Sequence, residues 1–481
     1  MSPRTYLITL GAGLFLTATA SAFEPSSPPK NVESTQANAS AVSHPRALRH
    51  IRHTPSTVEF SPSRQPMVVA TQSEAASCCV GKRGNVNCSG IIDLGDLSAL
   101  VNYLTSSGFV LCCYDATNVN GTGIVDLGDL SALVNYLTSS GFVPVDCPAS
   151  GPYSTTDLVG VWHDNAVATG PGAPFWNRGT FTFASNGSFH TALTSNTDPP
   201  DYVDSSFTGT LYVSTAGMLY GGPDSSAGSL NTGHMDADKT ILVAGSTWHK
   251  GTDDGTTEID IFAKEGVSYS QSDLTGTWQA NYIVSGPGAP WWDRGSITIA
   301  SNGLAYGVLM TSYGDPDTVN NEAISISSSG LTSWNGALDA GKTVMVQTNT
   351  WDGDYAGTAE FAVFTKVGSN YALSDLVGTW EGSAVASGPG EPYRARVTVT
   401  IQSDGSYFGV ETATGEFGTE VDTLSEGNLN ITSGGVVTIS GVGSEWRACL
   451  DAGKTILVGT ETWMLDDAGT TDLFIFTKMK R

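Results

Sequence analysis

Positive charge is scarce in this chain. Only 22 lysines and arginines oppose 47 aspartates and glutamates, which gives a net charge of −25 over 481 residues. Such an acidic protein is a poor partner for nucleic acid or for an anionic membrane surface. Charged residues of both signs make up only 14% of the chain, and 56 residues are glycine. This composition predicts several β-rich globular domains rather than disorder or a coiled coil.

Long apolar runs are also missing. The run from Tyr6 to Ala18 falls short of the ~20 residues that a membrane-spanning helix needs, and no later segment reaches that length. A basic residue precedes this run, and Ala20-Ser21-Ala22 follows it. We therefore expect a signal peptide at 1–22, cleaved after Ala22, and a secreted, extracellular or cell-surface protein. Residues 23–77 are rich in Pro, Ser, Thr, Ala and Gln, which predicts a disordered linker.

The common catalytic signatures are absent as well. The chain has no Gly-x-Ser-x-Gly elbow and no phosphate-cradling glycine loop. Residues 270–481 contain no histidine, so a histidine-dependent mechanism cannot recur along this part of the chain. Three acids do recur, Asp236, Asp339 and Asp451, but they lie in turn sequences where bonding to the backbone is sufficient reason for them.

One stretch of sequence occurs twice. The segments from Ile91 to Val110 and from Ile124 to Val143 differ only at Ile92 and Val125. In each copy, oxygen-bearing side chains take positions 1, 3, 5, 9 and 12 of a twelve-residue loop, with glycine at position 6. Such a loop wraps a hard cation, with the carbonyl of position 7 as a further ligand, so calcium is expected. The predicted ligands are Asn85, Asn87, Ser89, Ile91, Asp93, Asp96, Asn118, Asn120, Thr122, Ile124, Asp126 and Asp129.

A helix is predicted after each loop, because apolar residues recur at helical spacing from Leu97 to Leu104 and from Leu130 to Leu137. The doubled loop and helix at 78–148 resembles a type I dockerin, the module of secreted proteins that docks onto cohesins. The resemblance implies two calcium ions and a cohesin-like or other extracellular protein partner. Position 1 is Asn85 and Asn118 where the family usually has aspartate, which predicts weak binding, near ~10⁻⁴–10⁻³ M. The alternative is a pair of turn-rich loops without metal.

Six of the seven cysteines fall in this dockerin-like module. In a small exported module they predict up to three disulfides, with pairings that the sequence does not rank. The candidates are Cys78, Cys79, Cys88, Cys112, Cys113 and Cys147. The seventh, Cys449, is expected to be a buried thiol.

A tandem array follows the module. The motif Asp-Leu-x-Gly-x-Trp opens three copies, which we place at 152–266, 270–368 and 372–481. Apolar and polar residues alternate between turns of the Asn-Gly or Asp-Gly kind, which predicts about eight short antiparallel strands per copy. The predicted fold is mainly β, with three antiparallel barrel-like repeats. The alternative is that the repeats form blades of one propeller.

The start of each repeat bears a short resemblance to lipocalin-like domains, since Gly-x-Trp opens a strand that is followed by a strand pair. Large aromatic residues follow a Gly-Pro-Gly loop in each copy and are candidates for stacking on a sugar or a partner protein. They are Phe175, Trp176, Trp291, Trp292 and Tyr393. The alternative is that this loop folds back and plugs its own barrel.

Each opening tryptophan is expected to be buried and covered by an arginine of the next strand. The expected pairs are Trp162 with Arg178, Trp278 with Arg294 and Trp380 with Arg396.

These features together predict a secreted, non-catalytic, multidomain protein. A calcium-dependent docking module would be joined to three β-domains that bind a ligand, such as a carbohydrate, or present a surface. One alternative is an exported carbohydrate-active enzyme of the glycoside hydrolase type, because dockerins often accompany such enzymes. Another is a lipocalin-like carrier of a small molecule, which requires an open barrel interior.

Overall fold

A computed structural model describes residues 79, 81–105, 111, 113–121, 125–147, 151–171, 174–196, 202–204, 208–223, 232–247, 255–287, 290–351, 355–389, 393–415, 418–424, 427–440, 446–463 and 468–480. The expected signal peptide and linker lie outside these residues, as do Cys78, Cys112, Thr122 and Ile124. Within the described part of the chain, none of the helices combines the length and apolar character needed to cross a bilayer.

Three helices lie in the described part of residues 78–148, the loop–helix module: α1 (Leu94–Leu104), α2 (Tyr114–Thr117) and α3 (Leu127–Leu137). The predicted helix after each loop is confirmed. Asp93 and Asp126 cap α1 and α3, and each belongs to a capping box with the aspartate three residues later. The two helices pack against each other through their apolar stripes, which bury Leu100 and Leu133 completely.

The first repeat forms a closed barrel. Its strands are β1 (Gly160–Thr169), β2 (Phe175–Phe183), β3 (Ser188–Ser195), β4 (Tyr202–Asp204), β5 (Thr208–Val213), β6 (Met218–Pro223), β7 (Thr232–Met235), β8 (Ile241–Thr247) and β9 (Thr257–Lys264). All neighbours are antiparallel, and the pairings β2–β3 and β1–β9 close the sheet through eight strands, with β4 added at the end of β3.

The second and third repeats form half-barrels, each preceded by one helical turn. The helices are α4 (Gln271–Leu274) and α5 (Leu373–Leu376). The strands of the second repeat are β10 (Gly276–Ser285), β11 (Trp291–Ile299), β12 (Leu304–Thr311), β13 (Pro316–Ala323), β14 (Leu331–Thr332), β15 (Gly336–Leu338), β16 (Val344–Thr350) and β17 (Ala359–Lys366). Those of the third are β18 (Gly378–Ser387), β19 (Tyr393–Ile401), β20 (Tyr407–Gly415), β21 (Gly418–Leu424), β22 (Asn428–Ile431), β23 (Val436–Ser440), β24 (Arg447–Leu450), β25 (Ile456–Thr462) and β26 (Thr471–Lys478).

The prediction of a mainly β fold with three barrel-like repeats is therefore confirmed, and the propeller alternative is not. In each repeat the last strand returns to pair with the first, as β17 does with β10 and β26 with β18. The sheets of the second and third repeats end at β13 and β14 and at β21 and β22. Because side chains alternate across a strand, every second residue points inward and fills a core within its own repeat.

The opening motif has the same structural role in all three repeats. Trp162, Trp278 and Trp380 are completely buried. Each indole Nε1–H donates to the carbonyl of the leucine in the same motif, at 2.6–2.7 Å. The burial of these tryptophans agrees with the sequence-based expectation.

The expected arginine cover is wrong, because lysines cover these rings instead. In the strand register, Trp162 lies opposite Lys264, on the same face of the sheet, whereas Arg178 lies opposite Asn165, on the other face. The lysine Nζ is 5.1 Å from the indole centre and donates to the carbonyl of Asp157 at 2.6 Å. Lys366 and Lys478 are placed in the same way over Trp278 and Trp380.

A fourth apolar core lies between the three repeats. It is built from the outward side chains of the first, eighth and ninth strands of the first repeat and of their counterparts in the others, including Ile261, Phe361 and Ile475. These strands are therefore buried on both faces. The contacts run in a cycle, since β1 contacts β16 and β17, β10 contacts β25 and β26, and β18 contacts β8 and β9. The repeats thus form one pseudo-three-fold assembly with a common centre.

The recurring turn aspartates have the backbone role that their turn sequences predict. Asp236, Asp339 and Asp451 are buried, and each accepts backbone N–H bonds from residues of its own turn. Each also accepts a bond from a threonine of another repeat, as Asp236 does from Thr455 at 3.4 Å. These turns therefore help to join the repeats.

Candidate functional site

The first loop of the loop–helix module closes around its last carboxylate. Asp96 is completely buried. Its Oδ1 accepts the N–H of Asn87 at 3.0 Å, and its Oδ2 accepts that of Asp93 at 2.8 Å. The backbone at loop positions 3 and 9 is thereby bonded to the carboxylate at position 12, so the loop folds back on itself.

The second loop repeats this arrangement. Asp129 is buried and accepts the N–H of Asn120 at 3.0 Å and that of Asp126 at 2.9 Å. Burial raises the pKa of Asp129 to about 6, against the opposing effect of these backbone bonds. A buried carboxylate that resists ionisation gains from a nearby positive charge.

The donor set fits a hard cation. At position 1 of the first loop, Oδ1 of Asn85 is buried and has no hydrogen-bond partner among the described residues. At position 5, Ser89 Oγ donates to the carbonyl of Ile91 at 3.2 Å, so the side chain and the carbonyl expected as ligands lie together. Oxygen ligands of this kind suit Ca²⁺. Positions 5 and 7 of the second loop lie outside the described residues.

The module is packed directly on the β repeats. Asp115 Oδ1 accepts the hydroxyl of Thr215 in the first repeat at 2.8 Å, and Met218 and Tyr220 of that repeat belong to the core of the module. The side chains of Tyr103 and Tyr114 hydrogen-bond Arg396 of the third repeat. Module and repeats therefore share buried contacts.

Disulfide bonding occurs where the cysteine pattern predicts it. Cys79 and Cys147, at the two ends of the module, form a disulfide. Cys88 and Cys113 are also disulfide-bonded. Cys449 is a buried free thiol, and burial raises its pKa to about 11.

The five aromatic candidates are buried rather than displayed on a surface. Trp176 and Trp292 lie between repeats, where their Nε1–H groups donate to Thr350 at 2.7 Å and Thr462 at 2.8 Å. Arg178 stacks on Trp176 at 4.2 Å from the ring centre. The arginine also donates to the carbonyl of Thr348 at 3.1 Å.

The other three aromatic candidates point into the repeats. Phe175, Trp291 and Tyr393 occupy the first position of β2, β11 and β19. Tyr393 donates its hydroxyl to Glu411 at 2.7 Å. The rings of Tyr393 and Trp463 pack edge to face at 4.8 Å. These rings agree with the alternative in which the segment after the Gly-Pro-Gly loop fills its own barrel.

Buried carboxylates lie within the repeats, near the start of each last strand. Glu258, Glu360 and Asp472 occupy equivalent positions of β9, β17 and β26. Asn177 donates to Glu258 at 2.9 Å, and Trp351 donates to Glu360 at 3.0 Å. In the third repeat, Trp463 donates to Asp472 at 3.3 Å. Burial raises the pKa of Asp472 to about 7.

The sequence analysis missed these interior acids, although a signal was present. The segment Glu258-Ile259-Asp260-Ile261 alternates acid with isoleucine in the last strand of the first repeat. Alternation normally places the polar residues in water. Here the isoleucines face the common centre of the repeats and the acids face the barrel interior.

Within the described residues no three of the His, Cys, Asp and Glu side chains group as metal ligands. The two buried histidines bond to neighbouring repeats rather than to the interior acids. His163 contacts the carbonyl of Ser329 at 3.1 Å, and His234 contacts the hydroxyl of Thr477 at 2.6 Å. His163 Nε2 also lies 3.4 Å from Glu265 Oε2, just after the end of β9, so its acidic neighbour is outside the barrel interior.

No protein-family model and no curated protein matches the chain. Among solved structures, a DUF3598-family protein of unknown function from Nostoc punctiforme PCC 73102 shows 11% identity, covering 44% of this chain and 99% of that one, with a TM-score of 0.17. Transferrin binding protein B from Haemophilus parasuis Hp5, as a double mutant, shows 8% identity over 67% of this chain and 76% of its own, with a TM-score of 0.21. The corresponding protein from serogroup B Neisseria meningitidis shows 11% identity, 64% and 66% coverage, and a TM-score of 0.21. TM-scores this low carry no argument about function, and the fold rests on the strand pairings themselves.

Proposed function

We propose that this chain is an exported, non-catalytic binding protein in which a calcium-loaded, dockerin-like module is built onto three β repeats. The observation that carries the proposal is the pair of buried position-12 carboxylates, Asp96 and Asp129, each bonded to the backbone at positions 3 and 9 of its loop. Two calcium ions would be held by the loop ligands named from the sequence.

Calcium would act here as a structural ion. Asp96 and Asp129 are costly to bury as carboxylates, and a bound cation would offset this cost. Because the loops lead into α1 and α3, metal binding would stabilise the module and its contacts with the first and third repeats.

The resemblance to dockerins adds a protein partner of the cohesin kind. The two long helices have the same sequence but different surroundings. Tyr103 of α1 bonds Arg396 of the third repeat, whereas Tyr136 of α3 is 37% exposed. Val134 of α3 and its counterpart Val101 of α1 are exposed to a similar degree, so the two helices differ at the tyrosine. A partner would therefore meet the module at α3.

The β repeats would supply the second binding function. Their interiors hold uncharged and acidic hydrogen-bonding groups next to aromatic rings, as at Tyr393, Glu411 and Trp463. Such a mixture is typical of pockets that orient a small ligand or a sugar.

The test of the calcium function is a titration of the full mature protein, freed of metal with a chelator, by calorimetry and thermal unfolding. We expect two bound Ca²⁺ ions at millimolar concentration or below and a higher Tm. Asp96→Asn and Asp129→Asn should each weaken one site. Asp146→Asn is the matched control, since Asp146 lies in the same module but is exposed and paired with Lys82. No uptake of calcium by the wild-type protein, or equal loss in the control, would refute the assignment.

A further inference from the structure

The interior of the first barrel contains three carboxylates on two neighbouring strands. Asp164 belongs to β1, and Glu258 and Asp260 belong to β9. Asp164 shares its face of β1 with Trp162, which lies in the core of this barrel, and Asp260 shares its face of β9 with Phe262, in the same core. Asp260 pairs with Ala166, which is two residues from Asp164 along β1. Asp164 and Asp260 are therefore diagonal neighbours across the two strands.

Two of these acids have no hydrogen-bonding or cationic partner in the described part of the chain. Asp164 is 2% exposed and Asp260 is 6% exposed. Oδ1 of Asp164 and Oδ2 of Asp260 are buried without a hydrogen bond among the described residues. Glu258, two residues before Asp260 on the same face of β9, accepts hydrogen bonds from Asn177 Nδ2 at 2.9 Å and from Ser246 Oγ at 3.5 Å. The barrel thus buries carboxylate oxygen atoms that accept no hydrogen bond from the described side chains.

The other two repeats show that the fold does not need these acids. In the strand register, the position of Asp164 is taken by Ala280 and Gly382, and that of Asp260 by Ala362 and Phe474. Only the position of Glu258 is acidic in all three repeats. The additional pair of acids therefore belongs to the first repeat, which is also the repeat whose sheet closes into an eight-stranded barrel.

Burying an uncompensated carboxylate costs several kcal/mol. Burial first, and then repulsion by Glu258, raises the pKa of both Asp164 and Asp260 well above the usual range. A bound positive charge would offset this cost. The three acids do not converge on one point as metal ligands would. An ammonium or guanidinium group has several N–H donors and could bond Asp164 and Asp260 together, the two acids with buried oxygen atoms that lack a hydrogen bond among the described residues. An eight-stranded barrel can hold one small ligand.

We propose that the first barrel binds a small organic cation, a protonated amine or guanidine, between Asp164 and Asp260, with Glu258 beside them. This inference rests on the proposed binding role of the β repeats and not on the calcium loops. Trp162 and Phe262 belong to the packed core beyond these acids, so the apolar part of the ligand must be short.

The experiment uses the full mature protein with calcium present, titrated by calorimetry with ethylammonium, 1,4-diaminobutane and guanidinium chloride. Ethanol and 1,4-butanediol serve as neutral probes of similar shape. We expect at least one cation to bind and to raise the Tm, and the neutral probes to do neither. The double variant Asp164→Ala/Asp260→Ala carries the residues that the second repeat already has at these positions. It should bind the cation at least about 100-fold more weakly, because it loses two charge-assisted hydrogen bonds.

The variant Asp164→Asn/Asp260→Asn keeps the shape of the side chains and should also lose cation binding, which covers the case in which the alanine variant fails to fold. Asp315→Asn, at an exposed acid of the second repeat, should bind like the wild type. The proposal is overturned if no cation binds, if the neutral probes bind equally well, or if the asparagine variant retains wild-type affinity. Calcium uptake is measured on the same samples, so failure of either proposal is seen separately.

Discussion

Lys264 lies directly opposite Trp162 in the pairing of β9 with β1, with its Nζ 5.1 Å from the centre of the indole ring. The same amine donates to the carbonyl of Asp157 at 2.6 Å, so one lysine links the last strand of the repeat to its first turn. Equivalent lysines in the second and third repeats make the same two contacts. In each repeat this lysine therefore joins the last strand to the turn that precedes the first strand.

Replacing this lysine should destabilise the protein. Lys366→Met removes the charge over Trp278 and the bond to the carbonyl of Asp273, with an expected loss of about 1–3 kcal/mol in the free energy of unfolding. Urea denaturation measures it. Lys82→Met is the control, because Lys82 forms an exposed ion pair with Asp146, worth less than about 1 kcal/mol. Equal losses in the two variants would contradict the lysine cover.

The tryptophan itself should matter more. Trp380→Ala removes a completely buried ring from the core of the third repeat, and such truncations cost about 3–5 kcal/mol. Because the third repeat also contributes to the core between the repeats, we expect the loss to appear as a lower Tm for the whole assembly. Scanning calorimetry would show a separate transition for the third repeat if this expectation is wrong.

The duplicated helices provide a matched pair of variants. Tyr103→Phe removes a hydroxyl that bonds Arg396, whereas Tyr136→Phe removes the same hydroxyl from an exposed position. The first change should cost about 1–3 kcal/mol, since one partner is charged, and the second less than about 0.5 kcal/mol. Thermal unfolding of both proteins checks this difference. A similar Tm for the two variants would show that α1 gains nothing from its contact with the third repeat.

The interior acid Glu411 predicts a dependence of stability on pH. Burial raises the pKa of Glu411 to about 8, compared with 4.5 for an ordinary glutamate, and the hydrogen bond from Tyr393 lowers it in part. Between these values the folded protein retains a proton that the unfolded chain has released, so the free energy of unfolding falls as pH rises. One proton contributes at most about 1.4 kcal/mol per pH unit. Denaturation of the wild type and of Glu411→Gln at several pH values should show a smaller slope in the variant, and equal slopes would refute the shift.

The mature protein should not turn over polysaccharides, peptides or esters. Apart from the position shared by Glu258, Glu360 and Asp472, its interior acids differ between the repeats. Neither His163 nor His234 bonds an interior acid. Assays of the purified protein should give no more product than a heat-denatured sample. Hydrolysis of a polysaccharide that Asp472→Asn abolishes would instead favour the alternative of a carbohydrate-active enzyme.

Local patterns predicted the secondary structure well, and long-range register explains what they missed. Alternation and turn residues indicated the strands, and the stripe from Leu97 to Leu104 indicated α1. The partner of Trp162 could not be read in this way, because Lys264 comes close to it only through the pairing of the first strand with the last. Arg178 lies nearer in sequence but on the opposite face of the sheet.

The sequence also contains a pattern that indicates how the repeats assemble. The runs Ile241-Leu242-Val243-Ala244 and Ile456-Leu457-Val458 are apolar without alternation, which is typical of strands buried on both faces. The structure shows both faces covered, one by the repeat itself and one by its neighbours. The acids of the first barrel were harder to predict, since Asp164 has no counterpart in the other repeats.

Because the first repeat packs against the third, the core between the repeats can form only after the whole chain has been synthesised. The face of the first repeat that includes Ile259 and Ile261 is covered in part by Val385 and Ile475 of the third. During synthesis the first repeat is complete before the third has been made. A growing or prematurely terminated chain therefore exposes this apolar surface to solvent. Chains that end at residue 368 should therefore aggregate. Burial of this apolar surface requires the third repeat.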